Sequence, residues 1–403
     1  MKKHILVISQ YFYPEQFRIN DICTEWVKRG YKVTVVTGIP NYPDGKFFKG
    51  YNCFKKRKDN YNGIDIIRVP IVSRGNNSIC LILNYMSFVV SGFFWQLFTK
   101  LIADYVFIFE VSPMTQALPG VWYANRKKIP CYLYVQDLWP ENVEIVGGVK
   151  NKRILKQLGK MVDYIYFNCT KIFATSNSFV NAIHERGVPL EKLVYWPQYA
   201  EDLYKPLSKK SIPEISNEDV FNIIFAGNIG YAQGLEILPK VAALLKQKGF
   251  ASRVRFNMVG AGRYKFELME QIKQEQLGDI FNFVDKQPAE RIPEFMAACD
   301  AALICLSNNP LFAMTIPAKL QSYMACGIPI IASATGETMS IINCENLGIC
   351  AEAGGASKLA KIILNFCNMS KIQLETFGNN SLNCYMNNFS KEYLLLEMDK
   401  YFE

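Results

Sequence analysis

Short apolar runs alternate with longer amphipathic stretches through the first half of the chain, and each run has the length of a buried β-strand. The stretch between the first two runs, residues 19–29, has the spacing of an amphipathic helix. Alternation of this kind predicts a parallel sheet covered by helices. The predicted strands are residues 4–9, 32–37, 105–109, 131–135 and 171–175.

The alternation restarts after a polar stretch with two prolines, residues 204–219, which we interpret as a linker. The strands predicted beyond it are residues 221–226, 253–259, 280–284, 301–306 and 329–333, and the helices are residues 235–248, 263–277, 289–299 and 317–326. A chain of 403 residues exceeds what one hydrophobic core usually supports. We therefore predict two doubly wound α/β domains, residues 1–203 and 220–385, with a C-terminal helix in 386–403 that returns to the N-terminal domain.

Residues 79–99 form 21 nearly apolar positions without a charge, which is long enough to cross about 30 Å of hydrocarbon. Their polar residues nevertheless fall within one half of the helix circumference. A lone span would also place the two parts of one sheet on opposite sides of a membrane. The pattern favours a buried or in-plane helix over a true span, with a partner interface as the third interpretation.

The composition limits the kinds of site that the chain can form. Half of the residues are apolar, which excludes a disordered chain. The twelve cysteines form no C-x-x-C pair, and the two histidines, His4 and His184, lie far apart. We therefore expect neither a metal site nor a histidine-based triad. The first residues lack the pattern of a signal peptide, so we expect a cytoplasmic protein.

The net charge of +9 is concentrated in the first half. Residues 1–200 hold 26 Lys and Arg against 14 Asp and Glu, whereas the remainder holds 19 against 22. Basic clusters at residues 55–58, 126–128 and 150–160 suit an anionic membrane, nucleic acid or simply a solvated face. If the aromatic side of 79–99 shares a face with 55–58, the two would seat the first domain on a membrane.

The most informative segment is residues 315–327. Pro317 suits the first position of a helix and Gly327 suits its C-terminal stop. Free backbone N–H groups at the start of a helix attract phosphate, and Lys319 adds a cation in the first turn. From spacing alone, a helix capped only for stability explains the pattern equally well.

With three further segments, residues 227–234, 260–263 and 135–141, this helix resembles the donor-binding region of the GT-B glycosyltransferases of family 4. Within that family the chain is most similar to the WbuB-type transferases of O-antigen assembly, which are thought to handle N-acetyl-L-fucosamine. The resemblance implies two Rossmann-like domains that face each other across a cleft. It also implies that the C-terminal domain binds a UDP-sugar and the N-terminal domain binds the acceptor.

The chain departs from the family at its two glutamates, which are separated by seven residues. Met314 and Ser322 stand at those positions. The second glutamate usually holds the ribose hydroxyls, a task that Gln321 or Ser322 can take over as neutral hydrogen-bonding groups.

A second departure lies in the loop from Gly227 to Gly234. Asn228 and Gln233 replace the Arg and Lys that usually flank the donor diphosphate. Charge-assisted hydrogen bonds contribute about 1.5–3 kcal/mol each, against about 1 for neutral ones. We therefore expect other cations to compensate, with Lys319 and Arg263 as the candidates.

The expected cofactor list is empty apart from the UDP-sugar donor. No glycine fingerprint follows the first strand and no Walker A loop occurs, which argues against NAD, FAD or a P-loop nucleotide. The resemblance implies a metal-independent reaction. The expected partners are a nucleotide sugar, a polyprenyl-diphosphate-linked saccharide and the inner face of the bacterial plasma membrane, with no nucleic acid.

On the acceptor side, Asp137 follows a predicted strand, and the resemblance implies a catalytic role there. The family often places a histidine just before this Asp, where the present chain has Gln136. A carboxylate can accept the proton of the attacking hydroxyl, although an Asp that merely caps the next turn remains the alternative. Glu15 is a second carboxylate with a weaker claim.

Two rival functions share this architecture. A nucleotide-sugar 2-epimerase would need carboxylates and a histidine in the cleft, which the histidine-poor sequence does not favour. A catalytically inactive nucleotide-sugar-binding subunit would agree with the substituted family positions.

Overall fold

The computed structural model describes residues 3–216 and 219–402. Residues 1, 2, 217, 218 and 403, which fall in the predicted first domain, linker and C-terminal helix, lie outside the described residues. The described chain forms two compact units. The first contains residues 3–175, 179–196 and Phe402, and the second contains residues 176–178, 197–216 and 219–401.

The first unit is built on an eight-stranded sheet with the order β3-β4-β2-β1-β5-β6-β7-β8. All neighbours pair in parallel except β3, which runs antiparallel to β4. The strands are β1 (His4–Ile8), β2 (Lys32–Thr37), β3 (Lys58–Tyr61), β4 (Ile64–Arg68), β5 (Tyr105–Glu110), β6 (Cys131–Val135), β7 (Lys171–Ala174) and β8 (Leu193–Tyr195). The helices are α1 (Arg18–Lys28), α2 (Ser78–Phe98), α3 (Leu118–Lys127), α4 (Glu141–Ile145), α5 (Lys152–Asn168) and α6 (Asn177–Glu185).

The second unit is built on a six-stranded parallel sheet with the order β11-β10-β9-β12-β13-β14. The strands are β9 (Phe221–Asn228), β10 (Val254–Ala261), β11 (Phe281–Val284), β12 (Ala301–Cys305), β13 (Ile330–Ser333) and β14 (Gly348–Ala351). The helices are α7 (Leu238–Gln247), α8 (Lys265–Gln274), α9 (Ile292–Ala298), α10 (Pro310–Ala313), α11 (Ala318–Ala325), α12 (Glu337–Cys344), α13 (Ala356–Cys367), α14 (Lys371–Cys384) and α15 (Lys391–Asp399).

Burial explains why apolar runs became strands. Every residue of β5 and β6 is buried, as expected for parallel strands that are covered by helices on both faces. Helix α1 buries Ile19, Ile22, Cys23 and Trp26, which share one face at helical spacing. In the first sheet the chain builds outward from β1 on one side and then continues on its other side, and β9 has the same place in the second sheet. Ligands of doubly wound sheets bind at such switch points.

The strands that the apolar pattern predicts all appear, with ends that shift by one or two residues. The pattern misses the short edge strands β8 and β14. It also misses β3 and β4, of which β3 is a polar edge strand with no apolar run. The two strands form a hairpin closed by Asn62 and Gly63, both with positive φ. An Asn-Gly dipeptide is the sequence signal of such a turn and was the available clue.

Helix α15 belongs to the second unit, and of the C-terminal residues described only Phe402 belongs to the first. Phe402 is 1% exposed, and its ring centroid lies 5.3 Å from Trp26, 5.6 Å from Tyr31, 5.3 Å from Tyr105 and 5.8 Å from Tyr132. Aromatic clusters of this kind contribute through buried area and edge-to-face contacts. One side chain from the end of the chain therefore completes a core that is otherwise built from residues of the first half.

We expect Phe402→Ala to destabilise the first unit by about 3–5 kcal/mol, because it leaves a cavity among four aromatic rings. All five tryptophans lie between positions 26 and 196, so urea unfolding followed by tryptophan fluorescence reports on this unit. The control is Phe266→Ala, whose ring is 81% exposed on the second unit and whose loss should cost less than about 0.5 kcal/mol. An equal, small effect of both changes would contradict the packing argument.

Candidate functional site

The loop after β9 is pulled tightly onto the neighbouring strand ends. Gly234 has φ +63, and a Cβ there would lie 2.7 Å from the backbone of Leu306. A Cβ on Gly262 would lie 2.1 Å from the carbonyl oxygen of Ile229. Only glycine fits at these two positions. The result is a rim at the carboxyl end of the sheet in which Gly227 and Asn228 are exposed while Ile229 and Gly230 are buried.

Lys319 reaches this rim from α11. Its Nζ donates a hydrogen bond to Oε1 of Gln233 and lies 3.8 Å from the ring centroid of Phe225 on β9. Two of the donor-binding residues predicted from the sequence, 86 positions apart, are thus in contact. Burial of the ammonium group lowers the pKa of Lys319 to about 7. This lysine is therefore poised to respond to an anion.

Arg263 and Asn228 lie at the same edge of the sheet. Strands β9 and β10 are in register up to the pair Asn228 and Ala261, and Arg263 follows two residues later. Both side chains are exposed, and within residues 3–216 and 219–402 neither makes a hydrogen bond or ion pair. Arg263 is therefore a cation available to a ligand at the carboxyl ends of β9 and β10.

Gln321 and Ser322 face their own helix instead. With its amide oriented to satisfy both atoms, buried Gln321 donates to the carbonyl oxygens of Pro317 at 2.9 Å and Ala318 at 3.1 Å. The hydroxyl of Ser322 donates to the carbonyl oxygen of Ala318 at 3.3 Å. Both side chains close the first turn of α11 in this structure, and their role toward a ribose remains a prediction.

The start of α11 differs from the sequence prediction by one residue. Pro317 was expected at the first helical position, but its ψ of 137° is extended and the helix begins at Ala318. Pro317 instead occupies the flanking position, because Leu320 N–H bonds to its carbonyl oxygen at 2.8 Å. Gly327, with φ +66, ends the helix as predicted.

Two aromatic residues that the sequence did not single out support this region. Tyr323 is buried, and its hydroxyl accepts a hydrogen bond from the backbone N–H of Ala226 at 3.0 Å. The ring of Phe225 makes a cation–π contact with the Lys319 ammonium group. In the sequence both residues look like ordinary core positions, and no local signal separates them from their neighbours.

On the first unit, Asp137 lies just beyond the carboxyl end of β6. Its Oδ2 accepts hydrogen bonds from the backbone N–H of Ser112 at 2.9 Å and from the Ser112 hydroxyl at 2.8 Å. The Ser112 hydroxyl oxygen in turn accepts from Trp139 Nε1 at 3.1 Å and from Asn142 Nδ2 at 3.3 Å. Asp137 is therefore held in a fixed orientation while it remains partly exposed.

Glu110, at the end of β5, is a carboxylate that sequence reasoning missed. It is fully buried, and its Oε2 accepts from the backbone N–H groups of Gln136 at 3.3 Å and Asp137 at 3.4 Å. Burial, and then the charge of Asp137, raise the pKa of Glu110 well above its usual value. The available signal was a charged residue at the end of the apolar run of β5.

Glu15 is tied to the loop after β2. Its Oε1 accepts from the backbone N–H groups of Asn41 and Tyr42, both at 2.7 Å, and the side chain is buried. Burial raises the pKa of Glu15 to about 7, against the opposing effect of these hydrogen bonds. Its contacts are those of a residue that shapes the loop.

Comparison with known proteins finds that the chain is similar to sugar transferases. Residues 208–383 match the model of the family Glycosyl transferases group 1. The chain is 24% identical over 370 residues to the putative colanic acid biosynthesis glycosyl transferase WcaI of Escherichia coli K12, which covers 86% of this chain and 88% of that protein.

Solved structures extend the likeness to the whole fold. Sucrose-phosphate synthase from Thermosynechococcus elongatus superposes with a TM-score of 0.77 at 15% identity, over 100% of this chain and 98% of that one. HepE of Anabaena in complex with UDP gives a TM-score of 0.69 at 16% identity, over 99% of each chain. The predicted GT-B fold of two Rossmann-like, parallel-sheet domains is confirmed. The group 1 match supports a glycosyltransferase.

The raised pKa of Glu15 predicts a pH-dependent stability. A carboxyl whose pKa is about 7 when folded and about 4.5 when unfolded binds more protons in the folded state between these values. Its contribution is therefore present below pH 4.5 and is lost as the pH rises through about 7. Glutamine does not ionise, so the stability of Glu15→Gln relative to wild type should rise across that window, by up to about 3 kcal/mol. Its amide oxygen can still accept both N–H bonds.

Urea titrations of both proteins between pH 4.5 and pH 8, followed by tryptophan fluorescence, measure this difference. The control Glu185→Gln, at the end of α6, should show no such trend. A wild-type-to-Glu15→Gln difference that stays constant with pH, or that changes in the opposite direction, would rule out the buried, raised carboxyl.

Proposed function

We propose that the chain transfers a sugar from a UDP-sugar to a polyprenyl-diphosphate-linked saccharide during assembly of a bacterial O-antigen or capsule. The group 1 match and the naming of the Escherichia coli relative for polysaccharide synthesis support the reaction class. The UDP complex of HepE supports the donor class. N-acetyl-L-fucosamine is the sugar that we propose, on the sequence resemblance to WbuB-type transferases.

The observation that carries this proposal is the arrangement of cations around the loop after β9. Lys319 lies beneath the loop beside Gln233, and Arg263 is exposed at the end of the neighbouring strand. A donor diphosphate at the carboxyl ends of β9 and β10 would meet both cations. It would also meet backbone N–H groups at the start of α11. These groups stabilise the charge that develops on the leaving UDP, and the proposed reaction needs no metal ion.

Lys319 gives donor binding a proton linkage. With a pKa of about 7, this lysine is largely neutral above neutral pH in the free protein. A diphosphate that displaces the Gln233 oxygen favours the charged ammonium form and raises its pKa. Binding must then take up a proton, so affinity falls as the pH rises above about 7.

We expect the affinity for UDP to fall nearly tenfold between pH 7.5 and pH 8.5, with about one proton taken up at the higher pH. Isothermal titration calorimetry in two buffers of different ionisation enthalpy measures both quantities, and both pH values lie above the second phosphate pKa of UDP. Lys319→Met should weaken binding about tenfold or more at pH 7.5 and abolish the proton uptake. Lys240→Met, an exposed lysine on α7, is the control. Unchanged affinity in Lys319→Met would place the diphosphate elsewhere.

Asp137 supplies the proposed acceptor-side chemistry. Two hydrogen bonds to Ser112 occupy Oδ2, which fixes the carboxylate plane. The remaining oxygen can accept the proton of an attacking sugar hydroxyl or orient that hydroxyl. The Trp139 and Asn142 bonds to the Ser112 oxygen keep the donor hydrogen of Ser112 directed at Asp137.

Transfer of label from a panel of UDP-sugars to a polyprenyl-diphosphate-linked saccharide tests the function as a whole. Asp137→Asn should fold normally and lose about 10²–10⁴-fold of the turnover, while Asp163→Asn on α5 should not. Near-normal turnover of Asp137→Asn would remove this residue from the mechanism. Conversion of the donor without acceptor would identify a 2-epimerase, and donor binding without any turnover would identify an inactive binding subunit.

A position on the inner face of the bacterial plasma membrane belongs to the same proposal. The acceptor that we propose is a membrane lipid, and the surplus of twelve positive charges in residues 1–200 would be attracted by anionic headgroups.

A further inference from the structure

Helix α2 carries 21 residues without a charged side chain. It begins after Asn77, whose side chain accepts a hydrogen bond from the backbone N–H of Cys80, and it ends at Phe98. Among the described residues it is the one helix that is long and apolar enough to cross a membrane, and 22% of its most apolar stretch is buried. Its two faces must therefore be considered separately.

The polar face of α2 points into the protein. Asn84 is fully buried, donates to the carbonyl oxygen of Val72 at 2.6 Å and accepts from Gln10 Nε2 at 2.7 Å. Ser91 donates to the carbonyl oxygen of Pro70. Buried hydrogen bonds of this kind are costly to leave unmade. They bind α2 to its own unit, and a transmembrane orientation would break them.

A close backbone contact adds to this attachment. Gly92 lies against Pro119 at the start of α3, where a Cβ would approach the proline ring to 2.4 Å. The helix therefore packs closely against the start of α3 at this point. The opposite side of α2 faces away from α3.

The outer face of α2 is a stripe of large apolar side chains. They recur every three or four residues, which places them on one side of the helix. Each is between 40% and 78% exposed. The members of this apolar stripe are Ile79, Ile82, Leu83, Met86, Val90, Phe93, Phe94, Leu97 and Phe98. This helix is polar inside and apolar outside, the reverse of a helix that faces water.

Cations lie at the C-terminal end of the apolar stripe. Lys100 follows Thr99, the residue after the helix, and Arg126 Nη2 donates to the carbonyl oxygen of Thr99 at 3.4 Å. Lys127 and Lys128 continue from Arg126. The nearby Asp104 is engaged with the backbone N–H of His4 at 2.6 Å. An uncharged apolar stripe that ends in a basic cluster matches acyl chains next to anionic headgroups.

We propose that α2 lies in the plane of a lipid bilayer, with the apolar stripe among the acyl chains and with Lys100 and Arg126 at the headgroups. This inference deepens the proposed function and rests on it for the membrane-bound acceptor. It replaces residues 55–58, which lie at the edge strand β3, with Lys100 and Arg126 as the cations beside the inserted helix.

The arrangement also gives α2 a second task. Asn84 on its inner face bonds to Gln10, which follows β1 at the carboxyl end of the sheet. The acceptor end of the first unit is then separated from the bilayer by a single helix. A lipid-linked saccharide would reach this end without leaving the membrane.

The test compares two matched double variants of the full chain. Ile82→Gln with Phe94→Gln removes side chains that are 60% and 53% exposed on the apolar stripe. Ile372→Gln with Phe266→Gln removes the same residue types, 74% and 81% exposed, from the second unit. The probe is vesicles of equal parts phosphatidylcholine and phosphatidylglycerol, and the readout is co-sedimentation at low and high salt.

We expect wild type and the second-unit variant to bind the vesicles equally, and the apolar-stripe variant to bind at least about tenfold more weakly. High salt should reduce wild-type binding without abolishing it, because insertion of apolar side chains is not screened. Thermal stabilisation by UDP should be the same in all three proteins, which shows that the variants are folded.

Three results would overturn the proposal: no vesicle binding by wild type, equal loss in both double variants, or a wild-type dimer that only the apolar-stripe variant breaks and that ignores vesicles. Transfer to a short-chain, water-soluble acceptor separates the two hypotheses. If that transfer persists while vesicle binding is absent, the membrane proposal fails and the transferase proposal stands. If vesicles bind and no acceptor is glycosylated, the reverse holds.

Discussion

Parallel strand pairing is the constraint on which both candidate sites depend. In the second unit, β9 and β10 stay in register to their last residues, where Asn228 pairs with Ala261. The register brings Asn228 and Arg263 to one edge, although they come from different βα turns. In the first unit, the pairing of β5 with β6 sets Glu110 opposite Val135 and so beside Asp137. Helices cover the faces of the sheets, and the carboxyl ends are left to carry chemistry.

Ionisable groups are held away from their usual protonation at these strand ends. Burial lowers the pKa of Lys319 and raises the pKa values of Glu15 and Glu110. Each group carries a desolvation cost that a bound partner can relieve, which is typical of functional sites. The two carboxyls bond to neutral backbone N–H groups, and the partner of Lys319 is the equally neutral Gln233. A negatively charged ligand would therefore stabilise the ammonium form of this lysine more than Gln233 does.

Helix α2 shows that the partners a side chain finds decide whether it is buried or exposed. Asn84 is buried because it finds partners in Val72 and Gln10, while Phe94 remains exposed. Polar groups are tolerated inside a protein when they are hydrogen-bonded, and apolar groups outside when another phase covers them. The polar half that the sequence places on one side of residues 79–99 is real, but its direction is inward. Periodicity identified two faces and could not assign them.

Much of the architecture could be predicted from the sequence. Apolar runs such as that of β6 predicted strands because strands buried on both faces must be apolar throughout. Gly327 predicted the end of α11 because only glycine adopts its positive φ easily. The polar strand β3 was not predicted because an edge strand needs no apolar run. Chain length and alternation predicted two doubly wound domains, and the resemblance to GT-B transferases added the roles of the candidate residues.

Side-chain direction and long-range contacts were decided only by tertiary structure. Lys319 and Gln233 are 86 positions apart, and their contact depends on how α11 packs against β9. Gln321 and Lys319 are near neighbours on one helix, yet the former turns back to its own carbonyl groups and the latter reaches the loop. Local sequence determines φ, ψ and periodicity, because those depend on near neighbours. Which groups are buried together depends on the register of strands and the packing of helices, and therefore on the whole chain.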